Sequence, residues 1–533
     1  MIRILVTDEV DPEGVELLKS VPEFEVDVEP TMPQDVLLKR IGDYDAFVGR
    51  SATKVSAELL ARAKKLRVIG RAGVGVDNVD VEKATELGVA VINAPAGNTI
   101  AVAELFFGTL LGLLRQLPEA ATSMREGRWD RSKLMGREVK GRTLAIVGVG
   151  RIGTEVSKRA HAFGMDVIGY DPYIGDDRFA SLRVRRYTRL EDLLPLADII
   201  TVHTPLTDET RGLIGADELR KLKRGAIVVN MARGGIVDDK ALLAALESGH
   251  VAGAVLDVYE KEPLASDHPL RKAPNVLLTP HMGASTVEAQ RNVACDVAEA
   301  VRDALLSGEL SRSLNVATVS RDEWKELQPS MVAAQRAAAV ARAILAEGGD
   351  REIRRVSLKC GPGVINGSDV LLASATLGVL EGVIESDRLN LINARTLAEM
   401  RGLELSVRES DQMEHPNALE VCLLSGFKDF AVQAVAVPGT TPRITKIGEF
   451  HVDVPPRKIL IVLTNNDVPG VIGRVGTLLG EARINIEAYH QSRVAQGGRA
   501  LAAISVDDVV PESVRQRLLK LPDVLSATVV TFR

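Results

Sequence analysis

From Met1 onward, short β-branched runs alternate with segments of helical period. IRILV is followed by a helical pattern over Pro12 to Val21, AFVG by one over Ala57 to Lys64 and RVIG by one over Val81 to Leu87, before VAVIN closes the series. Such alternation predicts a parallel sheet with helices on its faces. A second, stronger series starts at Thr143 with TLAIVGVG and runs through DVIGYD, DIITVHT, AIVVNMA, VAGAVLDV and NVLLTPH, with helical stretches between most of them. Between the two units, Val102 to Arg115 has no turn signal and reads as one long helix. Ala284 to Leu306 is a second long amphipathic pattern. Two such helices carry the chain across twice between two α/β units, which predicts a hinged cleft.

After Asn315 the pattern changes. WKELQPSMVAAQRAAAVARAILAEGG is Ala-rich and helical, Val356 to Val454 mixes strands with Gly-rich turns, and Pro455, Pro456 and Arg457 make a stiff joint. Beyond it, KILIVLTNNDVPGVIGRVGTLLGEARINIEAYH opens a small βαββαβ unit. At 533 residues the chain exceeds what one core organises, in keeping with four units.

Composition narrows the function classes. Lys and Arg number 66 against 72 Asp and Glu, a net charge of −6 with no long basic block, so nucleic acid is not an expected partner. Aromatics at 3% leave few platforms for stacking bases, and 46% hydrophobic residues point to cores of Ala, Val, Leu and Ile. Cys295, Cys360 and Cys422 lie far apart without a CxxC, as in a reducing compartment, and a cytoplasmic location is expected. MIRILVTDEV enters a strand at once and lacks the charged and apolar regions of a signal peptide. The most apolar stretch, Leu105 to Leu114, falls short of the ~20 residues that cross a bilayer, so no membrane partner is expected. No His, Cys or carboxylate grouping has metal-ligand spacing, and no metal is expected.

The chemistry is concentrated after the second series of strands. Gly148, Gly150 and Gly153 in GVGRIG sit between a strand and a helix, and the next strand ends in Asp171. That context suits a dinucleotide: a tight turn, close backbone approach to a pyrophosphate, and a helix N-terminus for the anion. Asp171 suits the ribose hydroxyls and repels a 2′-phosphate, which favours NAD over NADP. Arg233 in NMARGGIVD, Glu262 in LDVYEKEP and His281 in TPHMGAST each stand just past the carboxyl end of a strand, the edge where open α/β sheets bind ligands. An Arg can grip a carboxylate bidentately, and a His backed by an acid can exchange a proton with a hydroxyl. Arg50 and Arg71 stand at strand ends of the first unit facing the same cleft, as a phosphorylated acid would require.

GVGRIG with Asp171, NMARGGIVD, DVYEKEP and PHMGAST, together with RAGVGVDNVD near residue 75, closely resemble the D-isomer-specific 2-hydroxyacid dehydrogenases over roughly residues 1–315. The resemblance implies two Rossmann/flavodoxin-like doubly wound α/β domains, with residues 1–98 and 285–315 binding substrate and residues 99–284 binding NAD. It gives Arg233, Glu262 and His281 the catalytic roles of carboxylate clamp, His-polarising acid and proton donor or acceptor. Its NAD contacts are Arg151, Ile152, Asp171, Thr204, Met231, Ala232, Arg233, Asp257, His281, Met282, Gly283 and Ala284, besides the three glycines. Its substrate contacts are Arg50, Ser51, Arg71, Gly73, Val74, Gly75 and Asn98. Arg131 and Lys133 in RWDRSKLMG are added as groups that reach phosphate, across a subunit boundary.

Residues 316–533 resemble the long-form branch of that family, with an α+β intervening domain of allosteric substrate-binding type over 316–454 and a βαββαβ ACT domain over 458–533, where DVPGVIGRVGTLL looks like the ACT signature. That branch implies oxidation of 3-phospho-D-glycerate with NAD at the opening of L-serine synthesis. It also implies a homo-oligomer, dimer or tetramer, and L-serine as effector held by Asn465, Asp467 and Asn485 between paired ACT domains. Two alternatives stand beside this: another enzyme of the family, such as a glyoxylate or hydroxypyruvate reductase, and a non-catalytic NAD-sensing regulator.

Overall fold

The computed structural model describes residues 1–316, 319–350, 352–381, 383–384, 388–426 and 428–532. Residues 317 and 318, at the opening of the third unit, and residue 533, at the end of the fourth, lie outside the described residues.

The first sheet has five strands: β1 (Ile2–Val6), β2 (Phe24–Val28), β3 (Ala46–Gly49), β4 (Val68–Arg71) and β5 (Ala90–Asn93). They are all parallel and run in the order β2-β1-β3-β4-β5. The inner strands are buried on both faces, which is why AFVG and AVIN read as unbroken small and branched apolar runs.

The helix Thr99–Leu114 then leads to a second parallel sheet, β6 (Thr143–Val147), β7 (Asp166–Tyr170), β8 (Arg185–Tyr187), β9 (Ile199–Val202), β10 (Ala226–Asn230), β11 (Val251–Leu256) and β12 (Val276–Leu278). Its order, β12-β11-β10-β9-β6-β7-β8, reverses at β6, so the GVGRIG loop leaves the sheet at its topological switch point. The helix Val287–Ser307, capped by the Thr286 hydroxyl, returns the chain to the first sheet and packs Val293, Val297 and Val301 into its core. Both crossings expected from the sequence are therefore present.

Some elements differ from the expectation. The first crossing helix begins three residues earlier than its apolar run and ends where Gln116 turns left-handed (φ 50°), and a further helix, Leu117–Arg125, follows. The edge strand β8 carries no apolar signal because RRY is polar and partly exposed.

The third unit is a six-stranded mixed sheet from Ile353–Cys360 to Phe450–Val454, covered by the helices Arg321–Glu347 and Ser368–Leu380. In the fourth, four antiparallel strands carry the helices Val471–Glu481 and Glu512–Leu519. Its central strand Ile459–Asn466 is apolar on both faces. Ile459, Ile461 and Leu463 meet these helices, while Leu460 and Val462 join the core of the third unit. The third and fourth units thus share a core. Among the described residues, no single helix is long and apolar enough to cross a membrane.

Candidate active site

The crevice at the carboxyl edge of the seven-stranded sheet is shaped first by glycines. Gly148 follows β6 at φ 90°, and a Cβ there would lie 2.7 Å from the His203 carbonyl oxygen. A Cβ on Gly153 would lie 2.3 Å from the Gly148 carbonyl oxygen, so the helix Arg151–Ala162 starts hard against the loop. At Gly150 nothing lies within 4 Å, and no side chain caps this helix. Its first-turn amides are left for an anion. Arg151, the first helical residue, is exposed, and Ile152 behind it packs onto the apolar core. Asp171 accepts hydrogen bonds from the amides of Val149 (2.9 Å) and Tyr173 (3.0 Å), which fix its carboxylate beside the loop with lone pairs to spare.

Four polar atoms near this edge, Asn98 Oδ1, Thr99 Oγ1, His203 Nδ1 and Thr204 Oγ1, are buried without a partner among the described residues. Buried polar atoms are seldom left so, and the set fits a polar ligand such as a dinucleotide. Met231 and Ala232 are buried just past β10, where the Ala232 amide is held by Asn230 Oδ1. Asp257 is held by protein partners of its own. Its buried carboxylate accepts from the Thr279 hydroxyl (2.6 Å) and the amides of Met282 (2.8 Å) and Gly283 (2.9 Å), building the loop that carries His281. Ala284 closes that loop through its carbonyl, which accepts from Gln290.

His281 itself is left-handed (φ 51°), and its Nδ1 lies 2.6 Å from Glu262 Oε2. Glu262 Oε1 accepts the Tyr259 amide at 3.0 Å. The Tyr259 hydroxyl in turn ties the ends of β11 and β12 by donating to the carbonyls of Leu256 and Thr279, and burial pushes its pKa up to about 12. The pair opens on a cavity of about 850 Å³ lined by Tyr259, Glu262, Pro263 and His281 from one domain and Ser51 and Ala52 from the other.

Around the cleft stand three guanidinium groups, Arg50 and Arg71 on the first unit and Arg233 on the sheet edge that bears His281. Arg233 donates to its neighbour Ala232 O (2.7 Å), and its Nε lies 3.3 Å from Asp77 Oδ2. Arg71 has its pKa pushed down to about 10, first by burial and then by the positive charge of Arg233, with Arg50 adding to it. Its Nε is buried without a partner. A Cβ on Gly73 would lie 1.4 Å from Arg71 Nη1 and one on Gly75 would lie 2.2 Å from Arg233 Nη2, so RAGVG supplies bare backbone against which both guanidiniums pack.

Residues not singled out from the sequence hold the first unit's side of the cleft together. Buried Asp8 accepts from the amides of Arg50 (2.9 Å) and Thr53 (3.0 Å) and from the Thr53 hydroxyl (2.7 Å). Asn78 Nδ2 donates to the carbonyls of Arg50 and Thr53, and Asn93 Nδ2 to that of Val74. Asp77 and Asn78 stand inside RAGVGVDNVD, so that motif is the signal by which they are findable. Asp8 leaves none, because its partners lie 42 and 45 residues away.

Two expected groupings are not assembled within one chain. Arg131 and Lys133 form an exposed 3₁₀ turn in which Lys133 pairs with Asp130 (3.3 Å). Among the described residues, no hydrogen bond or ion pair joins this turn to Arg50, Arg71 or Arg233. In the fourth unit, Asp467 accepts from Arg493 (2.9 Å) and the Gly497 amide, which hold its carboxyl below the usual range. Asn485 donates to Asp507 at the opposite end of the eight-residue strand Ile486–Arg493, roughly 26 Å away at 3.3 Å per residue. Asn465 is buried, with its Oδ1 unpartnered. Asp467 and Asn485 of one chain therefore cannot share one small ligand.

His203 gives a test of the crevice's dryness. Burial pushes its pKa down from 6.5 to about 4. Below pH 6.5 the unfolded chain takes up a proton that the folded one refuses, so stability is intact above that pH and falls as pH drops towards 4. The full loss is about 3 kcal/mol. Thermal unfolding at pH 7 and pH 4.5 should show a smaller acid-side drop in Tm for His203→Gln than for the parent. An equal drop would mean that the imidazole is solvated.

A glycine-turned crevice at a helix N-terminus, a His–Glu pair and an arginine on one sheet edge fit a nicotinamide-dependent dehydrogenase of 2-hydroxy acids. Residues 107–283 match the model for the D-isomer specific 2-hydroxyacid dehydrogenase NAD binding domain, and residues 458–523 that for the ACT domain. The D-3-phosphoglycerate dehydrogenases of Methanocaldococcus jannaschii and Bacillus subtilis are 38% and 37% identical; each alignment covers 99% of this chain, with 100% and 99% of theirs. Among solved structures, a glyoxylate reductase from Paecilomyes thermophila (33% identity, TM-score 0.54) is matched over 98% of its length. The D-lactate dehydrogenase from Escherichia coli (27%, 0.51) is matched over 100%, and each of the two covers 59% of this chain. The chain belongs to the D-3-phosphoglycerate dehydrogenase family.

Proposed function

We propose that the protein oxidises 3-phospho-D-glycerate to 3-phosphohydroxypyruvate with NAD, the step that opens L-serine synthesis. The observation that carries this reading is the gathering of Arg50, Arg71 and Arg233 on the cleft that also holds His281, with Arg71 and Arg233 packed on Gly73 and Gly75 and the Arg71 Nε buried without a partner among the described residues. One carboxylate needs one clamp, and a second anionic group accounts for the other two cations, which a glyoxylate reductase has no use for. Arg233 grips the substrate carboxylate, and Arg50 and Arg71 take the phosphate. With its Nδ1 hydrogen donated to Glu262, His281 presents Nε2 as the base for the substrate hydroxyl proton, and Glu262 stabilises the imidazolium that results. Bound NAD supplies the acceptor for the hydride leaving C2. Incubation with NAD and 3-phospho-D-glycerate, with a hydrazine to trap the ketone, should yield NADH and the phosphohydroxypyruvate hydrazone in equal amounts. Absence of both overturns the reading.

The enzyme on this reading is cytoplasmic and homo-oligomeric, a dimer or tetramer. Support for assembly comes from Trp129 and Met135, which stand 79% and 83% exposed beside the Arg131 turn. The distance between Asp467 and Asn485 also suits an L-serine site completed by a second copy, in which the serine ammonium displaces Arg493 from Asp467. L-Serine, and not D-serine, should then inhibit turnover, and Asp467→Ala should remove the inhibition. Calorimetry showing no L-serine binding to the intact protein would reject this effector.

A further inference from the structure

We propose that Asp77 is a placeholder for the substrate carboxylate, engaging Arg233 in the empty cleft and exchanging with the substrate's own carboxylate at each turnover; this rests on the role given to Arg233 above. Asp77 lies in the turn after β4 on the first domain, and Arg233 follows β10 on the second, so their contact spans the cleft. Arg233 Nε and Asp77 Oδ2 are 3.3 Å apart, and a Cβ on Gly75 would strike both partners, at 2.2 Å from Arg233 Nη2 and 2.6 Å from Asp77 Oδ2. The two side chains therefore meet over bare backbone.

Exposure decides how firmly they hold. The Asp77 side chain is 72% exposed and that of Arg233 27%, so the pair lies in a high dielectric and is weak enough for a substrate to break. Orientation of Arg233 does not depend on Asp77 alone, because Nη1 is tied to Ala232 O and the guanidinium packs on Gly75. Removing the Asp77 charge thus costs little order and takes away a competitor. It also removes one of the two carboxylates that act on Arg71, the other being Asp8, which strengthens the pull on a substrate carrying both carboxylate and phosphate. The same exchange run backwards helps the product leave.

The test is calorimetric titration of the enzyme–NADH complex with 3-phospho-D-glycerate, a combination that cannot react. Asp77→Asn should bind it about three- to fivefold more tightly than the parent, a gain that mere structural damage does not produce. In an Arg233→Ala background the same substitution should have a clearly smaller effect. Unchanged or weaker binding by Asp77→Asn overturns the placeholder, as does an undiminished effect without Arg233, which would mean general repulsion. Failure of the parent complex to bind phosphoglycerate at all would instead strike the proposed function.

Discussion

Replacing His281 with Ala should lower kcat by about 10²–10⁴ while leaving NADH affinity within a few-fold of the parent. The size follows from the single proton path the site offers. Nδ1 is committed to Glu262 at 2.6 Å, so Nε2 is the ring nitrogen left for the substrate hydroxyl, and the backbone around it is fixed by Asp257 through three hydrogen bonds. Truncation removes the base without disturbing that loop. Glu262→Gln keeps a partner for the ring but loses the charge that stabilises imidazolium, and should cost less than His281→Ala. Steady-state rates with NADH fluorescence titrations check both, and a His281→Ala enzyme within tenfold of the parent kcat would contradict the assignment.

Arg71→Ala should have the second large effect, and a selective one. Its guanidinium is a partly buried charge pressed by Arg233 and Arg50, with a buried Nε that has no hydrogen-bond partner among the described residues. Such a group stores an unmet demand for an anion, and a phosphate meets it bidentately. Truncating one partner of a close charged pair costs about 2–4 kcal/mol, or roughly 30- to 1,000-fold in kcat/KM. D-Glycerate has no phosphate to lose, so its kcat/KM should fall less than about tenfold. Equal losses for both acids would place the phosphate elsewhere.

Much of this was legible in the sequence for a physical reason. Strands buried on both faces are continuous apolar runs, and the chemistry sits where those runs stop, so Gly148, Asp171, Arg233, Glu262 and His281 were visible at strand ends. What escaped depends on partners distant in sequence. Asp8 is one acid among many until its 42-residue reach to Arg50 is known, and Asp77 becomes an interdomain contact only after the two sheets are placed. The strand β8 escaped because a polar edge strand has no buried face to announce it. Asn465, Asp467 and Asn485 were readable as a set, but one chain separates Asp467 from Asn485 by the length of a strand, a distance that motif spacing does not encode.

The substrate assignment is tested most directly by the ratio of kcat/KM for 3-phospho-D-glycerate to that for D-glycerate with NAD, measured on the unaltered enzyme at moderate ionic strength. Two cations reserved for one phosphate should raise that ratio above about 10³. A ratio near one would contradict the division of labour between Arg233 and the Arg50–Arg71 pair.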